Sequence, residues 1–260
     1  MFVMRYYEDG DLHSFLDEIQ RTQRMLCWRD IVEMLWGISG GIECIHKNGL
    51  IHGNLHGGNL LVENEQDSVD ACVADVGLHG PVDEKNSNET YGVLPFVAPE
   101  VLKGNPPTMA SDIYSFGMIM WTLSAGIRPW CNRAHDSRLA SEVISGLRPE
   151  IIDGTPEVYT QLMTQCWHPD SSKRPTASQL YELIGSWVTA ICDNPESSDL
   201  LEQFEIAEEK KFSDLENNKF HQQEIHPQAF YTSRPLHFPE LIKNNNGKPN
   251  LAKNIYIRTK

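Results

Sequence analysis

Side chains able to do chemistry concentrate between positions 52 and 77 of this 260-residue chain. His52-Gly-Asn54-Leu-His56-Gly-Gly-Asn59 puts two imidazoles and two carboxamides on a Gly-rich loop, and Ala74-Asp75-Val-Gly77 follows. A stretch this rich in Gly and polar groups forms a loop, where such side chains either bind something or cap turns. Asn59 and Asp75 are oxygen donors suited to a hard cation such as Mg²⁺, which takes few protein ligands and keeps several waters. Turn capping is the simpler account of the same two residues, and the residues alone leave both readings open.

Three further patterns imitate sites. His52 and His56 have the four-residue spacing of a helical zinc pair, but Gly53, Gly57 and Gly58 oppose a helix there and the Glu of His-Glu-x-x-His is missing. Gly37-Ile-Ser39-Gly-Gly41 satisfies Gly-x-Ser-x-Gly, the nucleophile elbow of α/β-hydrolases, which must sit between a strand and a helix. Here it falls inside an apolar helical period, so close helix packing is the expected use of its small residues. Asn88-Glu-Thr90 is a glycosylation sequon that a cytoplasmic chain leaves idle.

The elements that position the loop follow from periodicity. Phe2-Val-Met4 reads as a short strand, and Asp11 as the cap of a helix beyond the turn at Glu8-Asp-Gly10. Ile31, Leu35, Ile38, Ile42 and Ile45 recur at spacings of three and four and predict a helix from about Trp28 to Lys47. Leu60 to Glu63 and Ala71 to Ala74 are strand candidates. Helical patterns then cover about 113–124, 135–145, 156–166 and 176–189, punctuated by Gly and Pro. The fold class is mainly α with a few short β-strands. Residues 1–192 form the folded part; residues 193–260, with Gln222-Gln-Glu and Asn244-Asn-Asn, form a flexible tail holding one acidic helix near 200–217. Phe230-Tyr231 and Leu236-His-Phe238 in that tail are either short docking motifs or part of a solvated segment.

Charge narrows the partners. Against 36 Asp and Glu stand 22 Lys and Arg, a net charge of −14, with no basic cluster to displace counterions from phosphates. A nucleic-acid partner is therefore excluded, and no apolar run is long enough for a membrane span. Six cysteines stand singly, as reduced thiols in a cytoplasmic protein do.

The order His-x-x-Leu-x-x-x-Asn, Asp-x-Gly, Ala98-Pro99-Glu100, Ser111-Asp112-Ile-Tyr-Ser-Phe-Gly117 and Arg174-Pro175 resembles the C-terminal lobe of a eukaryotic protein kinase. Gly92-Val-Leu-Pro-Phe-Val97 and Pro129-Trp130 resemble the tyrosine-kinase-like Ser/Thr group. The resemblance implies ATP and Mg²⁺ as cofactors, with Asn59 and Asp75 as the metal ligands. Met4 through Tyr7, including Tyr6, would be the gatekeeper and the adenine-holding hinge. It also implies a Glu100–Arg174 ion pair and a buried Asp112 carboxylate that accepts backbone amides of the catalytic loop opened by His52. Residues 78–97 would be the activation segment, with Ser87, Thr90 and Tyr91 as candidate phosphosites.

Departures from the family pattern set the functional expectation. Its catalytic Asp falls on Asn54, an amide that is no base, its Arg on Gly53, and its γ-phosphate Lys on His56. No Gly-x-Gly-x-x-Gly or Val-Ala-Ile-Lys occurs, so most of the N-terminal lobe is expected to be absent, nucleotide affinity weak, and apolar surface uncovered. The expected function is a catalytically impaired, pseudokinase-like signalling module acting through protein partners, another kinase among them. The alternative is a weakly active ATP-dependent Ser/Thr protein kinase.

Overall fold

A computed structural model describes residues 5–64, 68–76, 90–193, 198–216, 224–239 and 241. The run Phe2-Val-Met4, Gly77, most of the expected activation segment including Ser87, and Asn88 lie outside the described residues.

Asp11 starts α1 (Leu12–Arg21) by accepting the Ser14 amide at 2.8 Å, which satisfies one orphan donor of the first turn. On α2 (Trp28–Lys47) the five isoleucine and leucine positions named above are all buried, as their spacing requires. That face lies on the antiparallel hairpin of β1 (Leu60–Asn64) and β2 (Val69–Val73), where Leu60 stands opposite Val73. The approach is close because two glycines face it. A Cβ on Gly37 would stand 2.8 Å from the Ala71 carbonyl oxygen, and one on Gly41 2.9 Å from Val73 Cγ2. Ser39 between them is buried, its hydroxyl donating to the Trp36 carbonyl oxygen at 2.8 Å. The Gly-x-Ser-x-Gly run is thus a packing surface inside a helix.

β3 (Thr90–Gly92) leads through a one-turn 3-10 helix, Leu94–Phe96, into α3 (Pro99–Leu102). α4 (Met109–Ala125) is the central rod: it starts on a Thr108 cap, stops at Gly126 in the left-handed region, and is buried throughout from Ser111 to Ala125. Around it stand α5 (Ser137–Ile144), α6 (Glu157–Cys166) and α7 (Ala177–Val188). Trp36 of α2 stacks on Tyr181 of α7 with ring centroids 5.6 Å apart. The fold is mainly α, with two two-stranded antiparallel sheets among the described residues. No helix among them is long and apolar enough to cross a membrane. None of the six cysteines, all described, forms a disulfide.

Among the described residues beyond 193, those at 198–216 and 224–239 lie packed where a flexible tail is expected. α8 (Asp199–Glu216) falls where a helix is predicted, but it is docked: Phe204 is buried against Trp28 and Trp187. Its polar side chains serve other helices. Glu208 Oε2 accepts the Trp28 amide at 2.8 Å, and Gln203 Oε1 the Val158 amide at 3.1 Å, so α8 satisfies first-turn donors of α2 and α6. Residues 224–239 also pack on the body, burying Tyr231 and Leu236, and β4 (Arg234–Leu236) pairs antiparallel with β3, Gly92 opposite Arg234. The segment's apolar residues are few and without period. Their partners lie about a hundred residues or more back in the chain, which is why local composition reads as solvated.

Candidate active-site cleft

The loop between α2 and β1 is held from below by one carboxylate. Asp112, on the first turn of α4 and 1% exposed, accepts the His52 amide on Oδ2 and the Gly53 amide on Oδ1, each at 2.8 Å. His46 Nε2 lies 2.9 Å from the same Oδ2. Such charge-assisted bonds are roughly twice as strong as neutral ones and fix the backbone in place. Gly53 has φ +74°, a left-handed conformation that costs glycine nothing. The His52 ring points the other way: Nδ1 accepts the Asn54 amide at 3.3 Å, which leaves the proton on Nε2 to be donated to the Ala74 carbonyl oxygen at 2.9 Å. With both His52 nitrogens committed to backbone groups, His52 and His56 form no metal pair.

Asn59 ends the 3-10 turn Gly57–Asn59 and braces both sides of the cleft. Its Nδ2 donates to the Asn54 carbonyl oxygen at 2.9 Å, and its own carbonyl oxygen accepts the Ala74 amide at 2.9 Å. That second bond sets the backbone just before Asp75, an exposed residue with φ +59°. Asn59 and Asp75 line one cleft of about 640 Å³ together with Asn54, His56 and Tyr91. A carboxamide oxygen and a carboxylate are hard donors of the kind Mg²⁺ takes, so the residue types at 59 and 75, both lining this cleft, fit such an ion. Such an ion supplies charge neutralisation to phosphate oxygens when bound. Of the expected hinge, Tyr6 is 83% exposed, and the Tyr7 carbonyl oxygen accepts the Gly10 amide at 3.2 Å. Met4 lies outside the described residues.

His56 is buried, and that burial, aided by the nearby His52, pushes its imidazole down to about 4. It is therefore neutral at pH 7. Nδ1 accepts the Gly58 amide at 3.0 Å, so Nε2 carries the hydrogen and donates it to Ser233 Oγ at 2.7 Å. Asn54 Nδ2 donates to the same oxygen at 2.8 Å. Neither side chain offers a base to a hydroxyl at that point. The sequence does not single out Ser233; the signals near it are the apolar groups Phe230-Tyr231 and Leu236-His-Phe238.

Farther from the cleft, Arg174 is fully buried at its side chain and grips Glu100 bidentately, Nη1 to Oε1 at 2.6 Å and Nη2 to Oε2 at 2.9 Å. Nη1 also donates to the Ala110 carbonyl oxygen at 2.8 Å, so the pair ties α3 to the start of α4 and to the turn before α7.

A family profile described as protein tyrosine and serine/threonine kinase matches residues 1–184. The chain belongs to the protein kinase family. Among relatives of this kinase-family chain, "Probable serine/threonine-protein kinase roco8" of Dictyostelium discoideum is 30% identical over 189 residues, which span 70% of this chain and 10% of that protein. Ephrin type-A receptor 8 of Homo sapiens is 32% identical over 203 residues, 76% of this chain and 19% of the receptor. The protein of the same name from Rattus norvegicus is 32% identical over 205 residues, again 76% of this chain and 52% of that protein. The chain thus spans from a tenth to a half of the length of these relatives. The helical body with its short hairpin is a kinase C-terminal-lobe fold, and the family as a whole uses ATP and Mg²⁺.

Proposed function

We propose that this chain is a kinase-family signalling module whose phosphoryl transfer is impaired and which works by binding protein partners in the cytoplasm, another kinase among the candidates. The observation that carries the reading is at Asn54. Where the family places a carboxylate to accept the substrate hydroxyl's proton, an amide N–H points at a hydroxyl oxygen 2.8 Å away. His56 beside it is also a donor. Loss of a positioned general base typically lowers the rate by about 10² to 10⁴. Six cysteines without a disulfide agree with a reducing compartment.

A second reading, a weakly active ATP-dependent Ser/Thr kinase, is favoured by Asn59 and Asp75 lining one cleft. Phosphoryl transfer depends largely on positioning and electrostatics, so retained metal ligands would sustain some of it. The two readings separate in one experiment, with γ-labelled ATP, Mg²⁺ and a mixed Ser/Thr peptide acceptor. The impaired module should transfer no label above the background of Asp75→Ala, and ATP with Mg²⁺ should raise its melting temperature little. Transfer that Asp75→Ala abolishes would establish the kinase instead.

A further inference from the structure

The tail does more than cover apolar surface, because it brings a hydroxyl to the one place in the fold where the family handles a hydroxyl. Within residues 224–239 the course is fixed on both sides of Ser233. The His226 amide donates to the Cys131 carbonyl oxygen at 2.8 Å, and the His135 amide to the Gln228 carbonyl oxygen at 2.9 Å. Tyr231 then inserts its ring, 8% exposed, with its hydroxyl donating to the Pro129 carbonyl oxygen at 2.8 Å and the Arg128 guanidinium 5.2 Å from the ring centre. Arg234 folds over the Phe230 ring at 4.2 Å and donates to the His135 carbonyl oxygen at 2.8 Å. Between these anchors Ser233 faces Asn54 and His56, and the chain continues as β4 along β3. An extended segment laid on an exposed strand, with alternate side chains in pockets, is a common mode of peptide recognition.

We propose that residues 226–236 are an intramolecular pseudosubstrate: they lie along β3 as an acceptor peptide would and set the Ser233 hydroxyl against Asn54 and His56, where the family reading of this loop places a substrate hydroxyl. The surface beside β3 accordingly recognises an extended peptide of the form aromatic-aromatic-Thr-Ser-Arg-Pro-aliphatic, and its occupant is the chain's own tail. The hydroxyl is held and not activated. Its oxygen receives hydrogen bonds from Asn54 Nδ2 and His56 Nε2, which engage its lone pairs, and its own proton has only the amide oxygen Asn54 Oδ1 at 3.3 Å. A segment docked only to bury surface would need Tyr231 and Leu236 but no hydroxyl aimed at two loop side chains. The inference rests on the family reading of the Asn54 loop and is independent of whether the chain transfers phosphate.

The test uses the full chain and a fluorescent peptide with the sequence of Gln228 to Pro239. In the wild type the tethered tail competes at an effective concentration in the millimolar range. Tyr231→Ala should therefore bind the added peptide at least tenfold more tightly than wild type, and a peptide with Val at the serine position should bind it more weakly. Hydrogen exchange of the Thr90 to Gly92 amides should rise in Tyr231→Ala and fall again on adding peptide. Arg234→Ala, a half-buried side chain, provides the same comparison with less risk to the fold. Equal peptide binding by wild type and both variants would overturn the proposal, as would unchanged protection of Thr90 to Gly92 in the variants. ATP-dependent label transfer together with peptide competition would sink only the impaired-kinase reading; an inert chain with equal peptide binding would sink only the pseudosubstrate.

Discussion

The loop that floors the cleft and the tail that closes its side meet at Asn54 and Ser233, yet they are held by interactions of different strength. Beneath the loop a buried carboxylate takes two backbone amides and an imidazole. Along the tail the bonds are mostly neutral, the paired strand is three residues long, and two side chains, Tyr231 and Leu236, supply the buried apolar anchors. Segments with few buried apolar contacts open locally at a fraction of the global unfolding free energy, whereas core loops open only with the whole domain. A fixed floor beside a releasable wall is what a site with its own displaceable occupant requires.

The largest expected effect lies under the floor. Asp112→Ala strands the His52 and Gly53 amides in a dry interior, and the chain should lose about 3 to 5 kcal/mol in urea denaturation. An effect below about 1 kcal/mol would mean that the loop is held as loosely as the tail.

The seam between the two regions should respond to pH. His13 is buried between the His56 and Tyr231 rings, and neither of its nitrogens has a hydrogen-bond partner. Burial pushes its imidazole down to about 3, with the Arg128 guanidinium and His56 adding to the effect. The folded protein thus excludes a proton that the unfolded chain accepts near pH 6.5. This group's contribution is complete above pH 6.5 and is lost as the pH falls from 6.5 toward 3. Between pH 7 and pH 5 the wild type should lose about 2 kcal/mol through His13. His13→Phe, which keeps a ring and removes the two unpartnered nitrogens, should reduce the slope by about that amount in melting curves taken across the range, leaving the share of the buried His56. An unchanged slope would place the titration elsewhere.

The smallest effect tests the floor's backbone. Gly53→Ala keeps both amide bonds to Asp112 but puts a Cβ on a residue at φ +74°, and it should cost about 1 kcal/mol. Melting with peptide binding unchanged would confine the strain to the loop.

Much of the fold is legible in the amino-acid sequence because it is local. The isoleucine spacing on α2, the Asp11 cap and the Gly and Pro breaks depend on neighbours within a turn or two. The same holds for α8, whose position is evident from its pattern although its docking is not. Within the site, Asn54, Asn59 and Asp75 stand out by type and spacing, and the structure brings them to one cleft.

By itself the sequence determines the helical body, the loop that bears the polar groups, and the absence of a carboxylate at position 54. Those depend on residue identity and on periods of two to four residues. The tertiary structure alone decides that Ser233 meets Asn54 across 179 positions and that His56 acts as a donor there. It also decides that the His13 ring nitrogens are buried without hydrogen-bond partners. Such contacts leave no periodic trace, because loop closure over long separations costs little more than over short ones and a single well-placed hydroxyl has no pattern to announce it.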